Sequence, residues 1–520
     1  MADPDDRQAE EGGYVAQVMS VLATGLERAV LHWRGRDVTA GEFTDSVNGV
    51  AHKLRGLGVG AGSVVGILVA PNSPEMFYVR YAAHELGAAV CHLRSTNPGS
   101  SAEVLPLEAQ LTILLDTSAD VLYADDENAV RAKELAGLAP GGFQLAGLED
   151  RGPEEVEEVE EAEEFGVWDP QALAVIAFTS GSTGRPKGIS QSGRIWDSIV
   201  RTTMTAITEP DHARMLVTTP LSHTVGPMAD AVLASGGTVF LHEEFDPSET
   251  LRAIEEHRIT RTLVATPHLY QLLDHDSIAT TRLSSLRQLI YTGCAAAPAR
   301  IAEAVNVFGF ALVQGYGTTE GGRVTLLDPG DHQDARLLST VGRPFPEVEL
   351  KVCDPDSGQE LAVGGTGEVW LRSPHVMDGY WADPELTAQV LRDGWYRTGD
   401  IGCLDEKGYL RLLDRIADVV KTQGVKVYPA VVEREILALP GVGQAAVYGV
   451  RDADNIERLN AAIVARPGAR VSPDDIRSRV AAALSAQHAP EVILLLDELP
   501  LNDSGKPDKR RLRSLGSAAA

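Results

Sequence analysis

The 520-residue chain carries 74 Asp and Glu against 46 Lys and Arg, a formal net charge of -28; this excludes non-specific binding to nucleic acid or an anionic membrane surface, which needs a basic footprint. Its hydrophobic fraction of 44% is ordinary for a soluble globular protein with a sizeable core and more than one domain. The four cysteines, Cys91, Cys294, Cys353 and Cys403, are scattered without a CxxC pair, so reduced thiols in a cytoplasmic protein are expected in place of disulfides or zinc.

The start of the chain, MADPDDRQAEEGG, is acidic and has no apolar stretch of the signal-peptide kind. Next, SVVGILVA (63–70) reads as a buried strand, too short to span a bilayer, and an alanine-rich helical stretch follows at 78–89. PEEVEEVEEAEEF (153–165) holds eight glutamates; like charges at i,i+3 and i,i+4 repel, which predicts a solvated linker, not a metal site. From about 170 to 320, β-branched runs alternate with helix-length segments. LAVIAF (173–178), TVFLH (238–242), TLVA (262–265) and QLIY (288–291) read as strands, and SETLRAIEEH (248–257) and ARIAEAVNVF (299–308) as helices. Such alternation predicts parallel strands joined by helical crossovers.

The pattern then turns to strands and turns, in GEVWLRS (367–373) and GWYRTGDIGCLDEKGYLRLLDR (394–415). A boundary falls near 415. Beyond it, VVEREILAL (431–439) and PDDIRSRVAAALSAQ (473–487) read as helices, and AAVYGV (445–450), AAIVAR (461–466) and EVILLLD (491–497) as strands. This predicts a small α+β domain.

The run FTSGSTGRPKGIS (178–190) follows a predicted strand. The phosphate-loop template GxxxxGK[ST] fails there, because Gly181 is followed five residues later by Pro186 and Lys187 is followed by Gly188. Its chemistry still suits phosphate: Ser180, Ser182 and Thr183 donate hydroxyls, Gly181, Gly184 and Gly188 let amides approach an anion, and Lys187 brings a charge. An ordinary polar turn is the alternative.

The run also resembles the loop of the ANL superfamily, which holds acyl-CoA synthetases, adenylation domains and luciferases. Other motifs similar to that family's follow in its order: PLSHTVG (220–226), GCAAAP (293–298), YGTTE (316–320), YRTGD (396–400), DRIADVVKTQGVKVYP (414–429) and PLNDSGKPDK (500–509). The resemblance covers nearly the whole chain. It implies an α/β fold with a large N-terminal adenylation domain (1–415) of parallel-sheet layers plus a β-rich subdomain. A small mobile α+β domain (416–520) would carry the catalytic lysine.

The activity implied has two halves. A carboxylate attacks the α-phosphate of ATP to give an acyl-adenylate and pyrophosphate, and the thiol of coenzyme A then takes the acyl group and releases AMP. By resemblance, Thr179, Ser180, Gly181, Ser182, Thr183, Gly184 and Lys187 hold the phosphates. Gly293 and Ala295 lie on the adenine side, and Tyr316, Gly317 and Thr318 lie against the nucleotide with Tyr316 on the base. Thr319 touches phosphate and Glu320 holds Mg2+. Asp400 takes the ribose hydroxyls, and Arg415 the ribose or phosphate. Ser222, His223, Gly293, Cys294 and Gly315 line the acid pocket, with His223 orienting the acyl group. Lys506 bridges the carboxylate and the α-phosphate, Gly424 and Lys426 serve coenzyme A, and Ala417 occupies the hinge.

This chain departs from the family's pattern at several places. Ala417 stands where many members carry Asp or Lys, Asp414 precedes Arg415 in place of glycine, Val431 replaces a glutamate, and Asn502 replaces a threonine. Gln191 and Gly193 stand where a histidine is often found. Amino-acid-activating relatives place an aspartate near PLSHTVG; Ser222 and His223 stand here, which disfavours an α-amino acid. The small side chains of GCAAAP leave room for a fatty, aryl or polycyclic acid. Three readings stay open: an acid:CoA ligase, an enzyme that loads a carrier-protein thiol or stops at the adenylate, and a catalytically silent nucleotide-binding protein. A luciferase-type monooxygenase is a remote fourth, and a homodimer is allowed by all of them.

Overall fold

The computed structural model describes residues 13–93, 105–148, 168–179, 187–208, 213–422, 425–451, 457–502 and 505–519. The acidic run 153–165 lies outside them. The described chain packs into two units. One takes in the residues up to 244 together with 374–389; the other takes in 245–373 and the residues from 390 onward.

The first unit holds a sheet whose strands follow the order Gly379–Tyr380, Lys187–Ser192, Leu173–Thr179, Ala89–His92, Val64–Leu68, Val121–Ala124 and Gln144–Ala146. The last five run parallel, as the crossover pattern predicts. The strand Lys187–Ser192 instead returns antiparallel beside Leu173–Thr179, with Thr179 opposite Lys187. The strands named from the sequence in this sheet are the parallel ones; this further strand, whose first residue Lys187 stands opposite Thr179, is the antiparallel addition to them. The core against this sheet gathers Leu68, Cys91, Leu93, Ile113, Leu114, Leu122, Leu135 and Ile176. The helix predicted over 78–89 spans Glu75–Glu85. It stops because Leu86 caps it and Gly87 takes φ +74, a turn only glycine makes cheaply. A second group of strands, Arg214–Val217, Thr238–Leu241 and Ala29–Trp33, is parallel and carries Arg36–Thr39 antiparallel at its edge.

In the second unit Arg261–Ala265, Gln288–Thr292 and Leu312–Thr318 pair in parallel, and Gly322–Leu327 turns back antiparallel. The crossover helices begin where the sequence supplies caps. Asp246 accepts from Glu249 N at 2.8 Å with Pro247 in the first turn of Pro247–Glu256, and Pro298 opens Pro298–Phe308. A β-rich layer follows, ordered Glu349–Cys353, Gly367–Arg372, Trp395–Leu404 and Leu391–Arg392, with Leu410–Arg415 on Trp395–Leu404.

The C-terminal domain comprises a hairpin, Val420–Thr422 with Val425–Val427, and a sheet of Val442–Arg451, Glu457–Ala465 and Val492–Leu496. Ala446, Tyr448, Ala462, Leu499, Leu501 and Leu512 form its core. Pro429–Leu437 and Pro473–Ala483 are its predicted helices. The second is shorter than expected, because Ser485 is extended at φ -172 and its hydroxyl pairs with His488 Nδ1 at 2.8 Å. Lys509–Ala519 is a further helix. Among the described residues no helix is long and apolar enough to cross a membrane.

Candidate active site

In the second unit the strand Gln288–Thr292 ends in the loop that carries Gly293, Cys294 and Ala295. Gly293 has φ +100, and Lys506 Cε lies 3.5 Å from where a Cβ on Gly293 would stand. Lys506 reaches this point from a short turn that Asn502 builds. Asn502 Oδ1 accepts from Lys506 N at 3.1 Å, and Asn502 N donates to Lys506 O at 2.7 Å. Gly505 takes φ +70 between them. The departure from threonine at 502 is thus a residue whose side chain closes the turn beneath the lysine. Burial, then the charge of Arg415, pulls the Lys506 pKa below the ordinary lysine value, while Cys294, Asp400 and Glu320 oppose the shift. Lys506 therefore shares one electrostatic neighbourhood with Arg415, Asp400, Glu320 and Cys294. Burial pushes the Cys294 thiol up to about 11, so it is no nucleophile at neutral pH.

Asp400 is 6% exposed and sits opposite Arg415 in the strand register. Its Oδ2 accepts from the Tyr316 hydroxyl at 2.6 Å and its Oδ1 from Arg415 Nε at 3.1 Å. Asp400 holds the Arg415 pKa above its ordinary value, and burial raises that of Tyr316. Tyr316 and Gly315 lie half-buried on Leu312–Thr318. Gly317 is needed as glycine, because a Cβ there would meet Gly322 O at 2.4 Å. Thr318 Oγ1 accepts from Gly321 N at 2.8 Å, closing the turn that presents Thr319 and Glu320. Ala295 is exposed.

In the first unit Ser222 is buried, His223 is half-buried, and the loop that holds them is clamped by Asn72. The Asn72 amide donates to Thr219 O at 3.1 Å and His242 O at 2.9 Å, and its Oδ1 accepts from Leu221 N at 2.9 Å. A Cβ at Gly226 would stand 2.3 Å from Leu221 O, so the turn past His223 admits only glycine. The helix Val225–Ala234 that continues this loop is pinned by Asp230, which is fully buried. Asp230 accepts from Arg80 Nη2 at 2.6 Å, from the Tyr81 hydroxyl at 2.8 Å and from Trp196 Nε1 at 2.8 Å. Removing one member of such a buried pair costs about 3–5 kcal/mol. Lys187 Nζ lies 5.5 Å from the Tyr380 ring centroid.

Of the residues singled out by sequence, Lys506, Gly293, Cys294, Glu320, Tyr316, Asp400 and Arg415 come together in the second unit. Ser222, His223 and Lys187 belong to the first. Thr179 ends its strand, whereas Ser180, Gly181, Ser182, Thr183, Gly184 and Gly424 lie outside the described residues. Lys426 is exposed on its hairpin, where its charge reaches Asp354. Ala417 is exposed in the 3-10 turn Ile416–Asp418. The polar contacts beside it come from its neighbours. Asp414 Oδ2 accepts from Ala430 N at 2.8 Å, and Asp418 faces Lys509 at 3.9 Å and Arg513 at 3.7 Å. Sequence reading missed Asn72, whose signal was its place in a Pro-Asn-Ser-Pro turn. It also missed Arg300, an arginine with a glutamate three residues on in an otherwise apolar helix.

Residues 20–381 match the family model of the AMP-binding enzyme, and residues 431–506 that of the AMP-binding enzyme C-terminal domain. The medium/long-chain-fatty-acid--CoA ligase FadD8 of Mycobacterium tuberculosis is 30% identical, over 96% of this chain and 89% of that protein. A feruloyl-CoA synthase of Amycolatopsis sp is 33% identical, over 92% and 94%. Among solved structures, the amide bond synthetase McbA from Marinactinospora thermotolerans superposes with a TM-score of 0.84 at 35% identity, over 96% of this chain and 99% of that one. The motifs, the fold and both family models agree: the chain belongs to the AMP-binding enzymes, the adenylate-forming ANL superfamily.

Proposed function

We propose that the chain activates an apolar carboxylic acid, fatty, aryl or polycyclic, by adenylation and transfers the acyl group to coenzyme A. The observation that carries this reading is the place of Lys506, held at Gly293 within the charge neighbourhood of Arg415, Asp400 and Glu320.

In the first half a carboxylate oxygen bonds to the α-phosphorus of ATP, and the bond to the pyrophosphate oxygen breaks. Two anions must meet, so positioned positive charge is the main requirement. Lys506 neutralises the carboxylate and α-phosphate as they approach. Asp400 accepts the ribose hydroxyls through the lone pairs that Tyr316 and Arg415 leave open, and the Tyr316 ring flanks the base. Lys187 and the glycine-rich run bind the departing pyrophosphate. Glu320 fits Mg2+: a hard carboxylate completed by phosphate oxygens is the usual magnesium set. Held by Glu320, the ion would supply charge neutralisation at the phosphates.

In the second half the thiol attacks the acyl carbon and AMP leaves. Asp400 and Arg415 keep hold of the ribose, Gly424 and Lys426 would meet the pantetheine arm, and Ala417 lies where the domain turns. The Ser222–His223 loop, fixed by Asn72, orients the acyl group. Free cysteines support a cytoplasmic setting. The 35% identity to an amide bond synthetase favours one second reading, in which an amine takes the acyl group in place of the thiol.

Hydroxylamine trapping across a carboxylic acid library, with and without coenzyme A, tests this. Acid-dependent hydroxamate plus a coenzyme A thioester supports the ligase. Hydroxamate with no thioester, but with amide from supplied amines, supports the second reading.

A further inference from the structure

Lys506 is not the one contact its domain makes with the Gly293 region. The loop 293–297 runs straight into the helix Pro298–Phe308, and the two are tied at Tyr270. The Tyr270 hydroxyl accepts from Ala297 N at 2.8 Å, and its carbonyl accepts from Arg300 Nη2 at 3.1 Å. Arg300 is fully buried; it pairs with Asp274 at 2.8 Å and with Glu303 Oε2 at 2.5 Å. The other oxygen of Glu303 accepts from Arg466 Nη2 at 2.8 Å. Arg466 follows the C-terminal-domain strand Glu457–Ala465 and also donates from Nε to Val442 O at 3.3 Å. Beside it, a Cβ on Gly443 would stand 3.3 Å from Asp274 Oδ2, so the backbone at the start of Val442–Arg451 lies against the same carboxylate.

One loop-and-helix piece is therefore held by the C-terminal domain at both ends, by Lys506 at Gly293 and by Arg466 at Glu303. We propose that Glu303 and Arg466 form a clasp that positions Lys506 for adenylate formation. An isolated, partly exposed ion pair contributes little, because two long side chains must be ordered to make it. Here the ordering is already done. Glu303 is fixed by buried Arg300, Arg300 is fixed by Asp274 and Tyr270, and Arg466 is fixed by Val442 O. Ala417 contributes no polar side chain at the junction between the Lys506-bearing domain and the rest, so the clasp is where the pose is held. Both are positioning residues and neither touches the reacting atoms.

The clasp rests on the adenylation reading, and its test separates the two. In the full chain with ATP, Mg2+ and an accepted acid, Arg466→Ala and Glu303→Ala are each expected to lower acid-dependent ATP–pyrophosphate exchange about five- to tenfold. Thioester formation from supplied acyl-adenylate should stay unchanged or quicken. The double variant should be no worse than either single one, since the two residues act through one contact, and Arg466→Lys should restore most of the exchange. Equal loss of both half-reactions, or effects that multiply in the double variant, overturns the clasp. If no acid supports exchange in the unaltered chain, the adenylation reading falls and the clasp is judged by amide hydrogen exchange alone. Arg466→Ala must then speed exchange at 293–300 and 441–444, and unchanged rates overturn it.

Discussion

The Tyr316 hydroxyl donates to Asp400 Oδ2 at 2.6 Å while Arg415 Nε holds Oδ1 of the same carboxylate at 3.1 Å. The ring expected to flank the base and the carboxylate expected to take the ribose are thus one mechanical piece. Tyr316→Phe keeps the ring and removes the donor. Hydrogen bonds to charged groups contribute about 1.5–3 kcal/mol, so the KM for ATP is expected to rise about tenfold or more, with kcat changed much less. Steady-state kinetics in ATP checks this; an unchanged KM would detach Tyr316 from nucleotide binding.

Lys506 is expected to give the reaction an alkaline limb. Burial and the nearby Arg415 guanidinium both disfavour its cation, so it loses its proton below the ordinary lysine value. In the proposed role of Lys506 adenylate formation needs the cation, hence the exchange rate is expected to fall as pH rises through that lowered value. Arg415→Gln removes the repelling charge and is expected to move the limb to higher pH, whatever it does to the absolute rate. The pH profile of exchange in the two proteins reads the shift, and a limb that stays or moves down would contradict it.

Gly293 holds φ +100 with Lys506 Cε 3.5 Å from a would-be Cβ. Gly293→Ala makes an ordinary contact but a strained backbone, about 1–2 kcal/mol. Denaturant unfolding should show that loss. Gly293→Val adds bulk where the lysine lies and is expected to cut exchange further than Gly293→Ala.

Much of the fold was legible because buried strands and crossover helices announce themselves in apolar runs. QLIY and ARIAEAVNVF fall on Gln288–Thr292 and Pro298–Phe308. The antiparallel return at Lys187–Ser192 was not legible, since neighbouring strands read alike whichever way they run. Lys506, Asp400 and Tyr316 could be picked out by motif, but not the bond between Tyr316 and Asp400, which joins residues 84 apart in sequence. Asn502 looked like a deviation and proves to close the Lys506 turn. Ala417 looked like a lost contact; the pairing that stands near the lysine's domain is Arg466 with Glu303, 163 residues apart, beyond the reach of any local pattern.

Asn72, at φ +50, makes two hydrogen bonds to the loop that carries Ser222 and His223, at Thr219 and Leu221, and a third to His242. Asn72→Gly keeps the backbone conformation and deletes all three, leaving buried groups without partners. A loss of about 2–4 kcal/mol in stability is expected, together with a higher KM for the acid and little change in that for ATP. Urea unfolding and kinetics in both substrates measure these.

Lys506 is expected to supply the charge for making the adenylate and to take no part in the transfer that follows. The direct measurement is Lys506→Ala assayed for each half separately. Acid-dependent ATP–pyrophosphate exchange is expected to fall at least a hundredfold, as loss of a buried charge partner of the reacting groups implies, while thioester formation from supplied acyl-adenylate proceeds near the unaltered rate. Equal loss of both halves, or retained exchange, would contradict it.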